Sequence, residues 1–193
     1  IEDAADLLRI LGPLDGTRAS ECGIAAQWLE ELIAQGRAIT VRVAGRACTA
    51  ATEDAGRLRD GLGTVLPPGI PDAHLVAVVD PMGDLLARFA RTHGPFTAEE
   101  VAADLGLPIG VLTQMLHGMV TSGALLRGEF RPGGSGQEYC ERDVLRRIRR
   151  SSVAKLREEI EPVDMTDYSR FVLQWNGVQT IDARANAAPA GID

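Results

Sequence analysis

The same succession of structural signals is written twice in this sequence. In the first half an apolar helix stripe (Ala4, Leu7, Leu8, Leu11) stops at Gly12-Pro13-Leu14; in the second the stripe Leu85, Leu86, Phe89, Ala90 stops at Gly94-Pro95-Phe96. Two further helices follow in each half, and the second of them ends on a glycine, Gly36 or Gly123, the residue best able to take the left-handed turn that closes a helix. Then come two strands about a turn, and a helix opening at Glu53 or Glu141. A unit repeated in tandem must bury the same faces twice. The order helix, short strand-like segment, helix, helix, strand, loop, strand is that of a winged helix, three helices backed by a β-hairpin wing.

Local signals fill in the frame. From Ile24 to Gln35 the residues Ala25, Trp28, Leu29, Leu32 and Ile33 recur at helical spacing, which predicts that Trp28 belongs to the core with Leu29 and Leu32. The alternation Ala38 to Val43, the turn Ala44-Gly45 and the return Arg46 to Ala51 predict the first wing. In the first half the second helix, Thr17 to Cys22, is poorly marked. In the second half Thr97-Ala98-Glu99-Glu100 is a capping box, with the hydroxyl and the carboxylate each satisfying one orphan amide. The helix it opens stops at Gly106, and Pro108 suits the first turn of the next, where Leu112, Met115, Leu116, Met119 and Val120 share a face. The second wing is predicted from Ala124 to Phe130, a loop over Arg131 to Gly136, and Gln137 to Cys140.

Between the halves, Pro67, Pro68 and Pro71 mark a semi-rigid linker, with room for an edge strand over His74 to Val79. After the second wing a long helix runs from Glu141 to about Glu161, closed by Pro162, and a short one covers Thr166 to Leu173. The expected fold is mainly α with small β-hairpins (α+β): winged-helix units over 1–63 and 81–142, a Pro-rich linker over 64–80, and over 143–193 a basic helix with the lead-in to a further domain. The first residue already lies inside a helical pattern, which suggests a stretch of something longer.

With 193 residues, 45% of them hydrophobic and only 4% aromatic, the cores must be built from Leu, Ile, Val and Ala. The cysteines Cys22, Cys48 and Cys140 are odd in number and far apart, and His74, His93 and His117 stand at no metal-ligand spacing from them. The expectation is a reduced, cytoplasmic protein with no metal site. No apolar run of about 18 residues and no basic-then-apolar leader occurs, so no membrane partner is expected. There is no G-x-x-x-x-G-K-[ST], no G-x-S-x-G and no H-E-x-x-H, and the adjacent acidic pairs Glu30/Glu31, Glu99/Glu100 and Glu158/Glu159 diverge on a helix. No catalytic residue is identified.

Nucleic-acid contact has one candidate region, which a second reading contests. The helices that would enter a major groove are unpromising: one exposes Gln27, Glu30, Glu31 and Gln35, the other Thr113, Gln114, His117 and Thr121. By contrast Arg142, Arg146, Arg147, Arg149, Arg150, Lys155 and Arg157 crowd one helix of a chain whose net charge is −7, and Arg127 and Arg131 flank the second wing. Local basic excess in an acidic chain is the footprint of phosphate contact. The competing reading pairs these arginines with Glu141, Glu158, Glu159 or Glu161, or with other parts of a larger protein. Trp175, beyond the short helix and near Tyr168, is either a boundary-packing or a base-stacking residue.

Several motifs in order resemble the bacterial Lhr (large helicase-related) helicases downstream of their two RecA-like motor domains. They are Trp28 to Leu32, Glu53 to Asp60, Asp80 to Thr97, Arg127-Gly128-Glu129-Phe130, Val144 to Arg150, Glu159 to Val163, and Arg170-Phe171 with Trp175 to Val178. The resemblance covers roughly Asp6 to Val178, and the tail from Gln179, Ala-rich over Ala185 to Asp193, departs from it. It implies a parent that uses ATP to move 3′ to 5′ on single-stranded DNA, unwinding duplexes and RNA:DNA hybrids in DNA repair. ATP and Mg would reside in motor domains of the same polypeptide. This stretch would be their non-catalytic accessory region, guiding single-stranded DNA over Arg127, Arg131, Arg142, Arg146, Arg147, Arg149, Arg150 and Trp175. Two other classes compete: a structural or protein-docking module, and, by fold analogy alone, an AlkZ-type DNA glycosylase module, whose catalytic glutamine motif has no match here.

Overall fold

The computed structural model describes residues 1–134, 136–159 and 163–176. Ile1–Arg150 form one compact unit, and Ser151–Asp193 a second.

In the first half α1 (Glu2–Leu11), α2 (Gly16–Glu21) and α3 (Ala26–Ala34) enclose a core of small and branched residues, Ala4, Leu8, Leu14, Ile24, Leu29 and Leu32. α2 forms because Asp15 caps it, its carboxylate accepting from the Arg18 amide at 2.9 Å. The wing is β2 (Ala38–Val43) with β3 (Arg46–Ala51), paired Ala38↔Ala51 through Val43↔Arg46. Its turn residues Ala44 and Gly45 both have positive φ, 49° and 77°, matching the twist a two-residue hairpin turn requires. β1 (Leu14–Asp15) adds to β3, giving the order β1-β3-β2.

The second half repeats this with α5 (Pro81–Thr92), α6 (Ala98–Leu105), α7 (Ile109–Thr121) and the hairpin β4 (Leu125–Gly128) with β5 (Glu138–Glu141). Phe96 stands where Leu14 stands in the first half, and it exchanges backbone hydrogen bonds with Tyr139 at 2.9 and 2.7 Å. The Gly-Pro segment thus becomes the first, minimal strand of each winged helix. The capping box forms, with Glu100 accepting from the Thr97 amide at 2.7 Å and Thr97 from the Glu100 amide at 3.3 Å. The core gathers Leu86, Phe89, Val101, Leu112, Leu116 and Leu125.

α4 (Ala55–Leu62), preceded by a 3-10 turn over Thr52–Asp54, packs on the outer sheet face and against α5; Leu85 of α5 is buried with Ile39, Val41, Ala50 and Leu58 of the first half. A Cβ on Gly61 would lie 3.0 Å from the Leu85 side chain, so this helix pair packs at glycine distance.

Two expectations are corrected. His74 to Val79 is not a strand: a 3-10 turn over Asp72–His74 is followed by irregular chain. The Val78 amide donates to the Asp60 carboxylate at 3.2 Å instead of to a sheet, while Leu66, Ile70 and Leu75 pack on the core of the first wing. Trp28 is not a core residue; it is 37% exposed. The buried stripe of α3 is narrow, carried by Leu29 and Leu32, and the indole falls at its edge.

α8 (Arg142–Glu159) follows β5 directly and crosses from the first unit into the second. In the second unit α9 (Met165–Trp175) is capped by Asp164, which accepts from the Thr166 and Asp167 amides at 2.7 and 2.9 Å. The expected helix closure at Pro162 and the tail from Gln179 lie outside the described residues.

Candidate nucleic-acid interface

The candidate interface begins with the anchoring of α8. Glu141 caps it, its carboxylate accepting from the amides of Asp143 (2.8 Å) and Val144 (2.9 Å). Val144 and Leu145 are buried with Cys140, against Leu126 and Phe130 of the second wing. With that side fixed, Arg142, Arg146, Arg147, Arg149 and Arg150 are all exposed around the rest of the helix.

Their surroundings differ. Arg142 reaches over Gly123 at the end of α7, and Arg146 pairs with Asp143 one turn back at 3.0 Å, both side chains in solvent. Arg147 donates to the Arg91 carbonyl at a long 3.4 Å. Arg149 and Arg150 make no ion pair among the described residues. Glu141, one of the partners the sequence offered these arginines, accepts backbone amides instead, and the side chains of Glu158, Glu159 and Glu161 lie outside the described residues.

Of the two wing arginines, Arg131 is held more firmly. Arg131 pairs with Glu100 at 2.8 Å and with Glu138, tying the wing loop to α6. Glu138 also accepts from the amides of Phe130 (2.6 Å) and Arg131 (2.9 Å). The Arg131 guanidinium and these two amides lower the Glu138 carboxyl to about 2, and the two carboxylates raise Arg131 in turn. Arg127 is exposed on β4, opposite Tyr139. Trp175 belongs to the second unit; it is 79% exposed, its ring 5.8 Å from that of Phe171.

Two arrangements were not visible in the sequence. Asp104 of α6 accepts from Arg18 at 2.7 Å and from Arg46 at 2.8 Å, and Arg46 also reaches Asp15 at 3.1 Å. Burial pushes the Asp104 carboxyl up, but the two guanidinium groups outweigh it and leave it below the usual range. His93 closes the cluster, stacked on Phe89 at 3.8 Å, with Nδ1 2.9 Å from the Phe89 carbonyl and Nε2 against Arg18. Burial lowers its pKa and so favours the neutral ring; in that form the contacts fit Nδ1–H donating to the carbonyl and Nε2 accepting from Arg18. The second arrangement is an open groove of about 680 Å³ between α1, α5 and the start of α8. Among the described residues no group of three or more His, Cys, Asp or Glu could hold a metal, and no helix is long and apolar enough to cross a membrane.

Residues 1–77 match the family described as large helicase-related protein, winged-helix domain. The chain is 46% identical over 181 residues to "Lhr helicase/ probable uracil glycosylase" of Mycolicibacterium smegmatis, a match covering 92% of this chain and 12% of that protein. It is 33% identical over 184 residues to "Lhr helicase/uracil glycosylase" of Escherichia coli, covering 92% of this chain and 11% of that protein.

The chain belongs to the Lhr family. It spans about an eighth or less of the length of these Lhr relatives. The resemblance read from the sequence extends over the same ground as these matches, since both run through the first half, the second half and the basic helix.

Proposed function

We propose that this chain is a non-catalytic accessory region of an Lhr-type ATP-dependent 3′-5′ DNA helicase acting in DNA repair, and that it guides single-stranded DNA along α8. In this reading 1–63 and 81–142 are the winged-helix units, 64–80 the connection between them, and 143–193 the basic helix and lead-in to a further domain. ATP and Mg belong to motor domains of the same cytoplasmic polypeptide. The strand, from duplex DNA or from an RNA:DNA hybrid, is held by Arg127, Arg131, Arg142, Arg146, Arg147, Arg149 and Arg150, with Trp175 stacking on a base.

One observation carries the reading: α8 is anchored on one side by Val144 and Leu145, and the arginines occupy the side left to solvent. Arg149 and Arg150 in particular have no carboxylate partner among the described residues. Guanidinium groups without an internal partner suit sequence-tolerant phosphate contact. Arg131, engaged by Glu100 and Glu138, also fixes the wing loop.

Fluorescence anisotropy with labelled single-stranded DNA across a salt series tests it, comparing wild type with Arg146, Arg147, Arg149 and Arg150 changed to Ala. Each lost phosphate contact flattens the slope of log K against log salt by about 0.7. Absence of binding at low salt would sink the reading in favour of a structural or docking module. The names of both relatives also carry uracil glycosylase; release of uracil from DNA by this chain alone would overturn the non-catalytic assignment.

A further inference from the structure

We infer that the groove between α1, α5 and α8 is a second stretch of the strand's track, in which Arg91 and Arg147 hold backbone phosphates and Ile10 lies against a base or sugar. This rests on the single-strand reading of α8 and extends it to a surface built by both winged helices. The groove, about 680 Å³, is lined by Arg9, Ile10, Arg88, Arg91, Thr92 and Arg147, with Glu141 and Asp143 at the start of α8.

Its charges sort into two groups. Arg9 is held by Asp6 (2.9 Å) and Glu53 (3.1 Å), and Arg88 by the buried Asp54. Of the acids, Glu141 accepts the amides that begin α8, and Asp143 pairs with Arg146. What is left over is Arg91 and Arg147, both exposed, neither with a carboxylate partner among the described residues, and joined only through the long Arg147–Arg91 carbonyl contact. Two guanidinium groups without an ion-pair partner among the described residues, at the wall of an open groove, attract an anion with more than one charge. Ile10, 58% exposed in the same groove, suits a ligand that has an apolar face beside its phosphates, which a nucleic-acid strand has and an inorganic anion lacks. Arg147 also belongs to the basic side of α8, so the groove continues the track already proposed.

The test is the same salt series, with labelled single-stranded DNA and the full chain, on Arg91→Ala, on the pair Arg149→Ala/Arg150→Ala, and on Arg42→Ala. Arg42 lies in the first wing, with its guanidinium on the Gly45 carbonyl at 2.9 Å, and serves as the control for net charge. Arg91→Ala should flatten the slope by about 0.7 while Arg42→Ala leaves it unchanged. The melting temperature of Arg91→Ala should match wild type, since its side chain is exposed and holds no partner among the described residues. A wild-type slope in Arg91→Ala, alongside a flattened one in the Arg149/Arg150 pair, would overturn the groove and leave the α8 reading standing. Equal flattening by Arg42→Ala would reduce the effect to net charge and overturn it too. No binding by wild type removes both. Competition by polyglutamate as strong as by unlabelled DNA would assign the groove to an acidic protein surface and also overturn the proposal.

Discussion

Arg18, at the start of the first winged helix, donates to Asp104 in the second at 2.7 Å, across 86 residues of sequence. Asp104 takes a second guanidinium from Arg46 of β3, so one carboxylate ties α2 and the first wing to α6. The side chains are only 20–41% exposed, so the pair lies between a surface bridge and a buried one. Asp104→Asn keeps the shape and removes the charge, leaving Arg46 with Asp15 alone and taking from Arg18 its carboxylate. Taking measured values for surface and buried pairs as limits, the expected loss is about 1–3 kcal/mol. Urea denaturation should show it as a lower midpoint. A change below about 0.5 kcal/mol, the range of ordinary surface substitutions, would mean that apolar packing alone joins the halves.

His93 makes the same cluster sensitive to acid. Its folded pKa is depressed by burial below the ordinary 6.5, so the fold favours the neutral ring. The unfolded chain therefore takes up the proton first on acidification. Stability from this group is complete above about pH 6.5 and is lost as pH falls through the depressed folded value. Arg18 at Nε2 opposes protonation, while the Phe89 carbonyl and Asp104 favour it, and the Thr92 hydroxyl lies 3.1 Å from Nδ1. His93→Gln should remove this component, measured as the change in unfolding midpoint between pH 7.5 and 5.5. An unaltered pH dependence in the variant would show that the loss arises elsewhere.

Glu138 acts at lower pH. Held at about 2 by Arg131 and two wing amides, it contributes stability above the ordinary carboxylate range that is lost as pH falls toward 2. Glu138→Gln should flatten acid unfolding between about pH 4.5 and 2 and speed hydrogen exchange at the Phe130 and Arg131 amides. Unchanged exchange at those amides would contradict the pinning of the wing loop.

Gly106 closes α6 with φ 70°, and a Cβ there would stand 3.0 Å from the Ala44 Cα at the tip of the first wing. Gly36 has the same left-handed backbone, φ 71°, with nothing within 4 Å of an added Cβ. Alanine at Gly36 should cost about 1 kcal/mol from backbone strain alone. Gly106→Ala should cost more, by about 1 kcal/mol or above, because it also forces two backbones apart. Equal losses in thermal unfolding would show that the wing tip yields without resistance.

Much of the fold was legible in the sequence because its signals are local. The first wing follows from period-two alternation around Ala44-Gly45, and its strands run over the residues that alternation marks, Ala38–Val43 and Arg46–Ala51. The Thr97–Glu100 capping box spans three residues and needs nothing beyond its own turn. Trp28 was misread because periodicity gives the direction of a helix face but not its width. His74 to Val79 looked extended by its prolines and branched residues, yet Asp60 and the apolar surface under Leu75 offered its backbone another place.

The basic helix was visible as a charge run that opens after Glu141, but which arginines face solvent without a partner was not. Ion pairs such as Arg9–Glu53, Arg88–Asp54 and Arg46–Asp104 link residues 44, 34 and 58 positions apart, and each reads locally as a solvated charge. By itself the sequence determined two winged helices and a basic helix, since turns, caps and helix stripes are settled within a few residues. Only the tertiary structure decided how the two units share one core through Leu85, which arginines are neutralised, and where Arg91 and Arg147 face one groove. Those outcomes depend on distances between remote segments, which exist only once the hydrophobic faces have been buried.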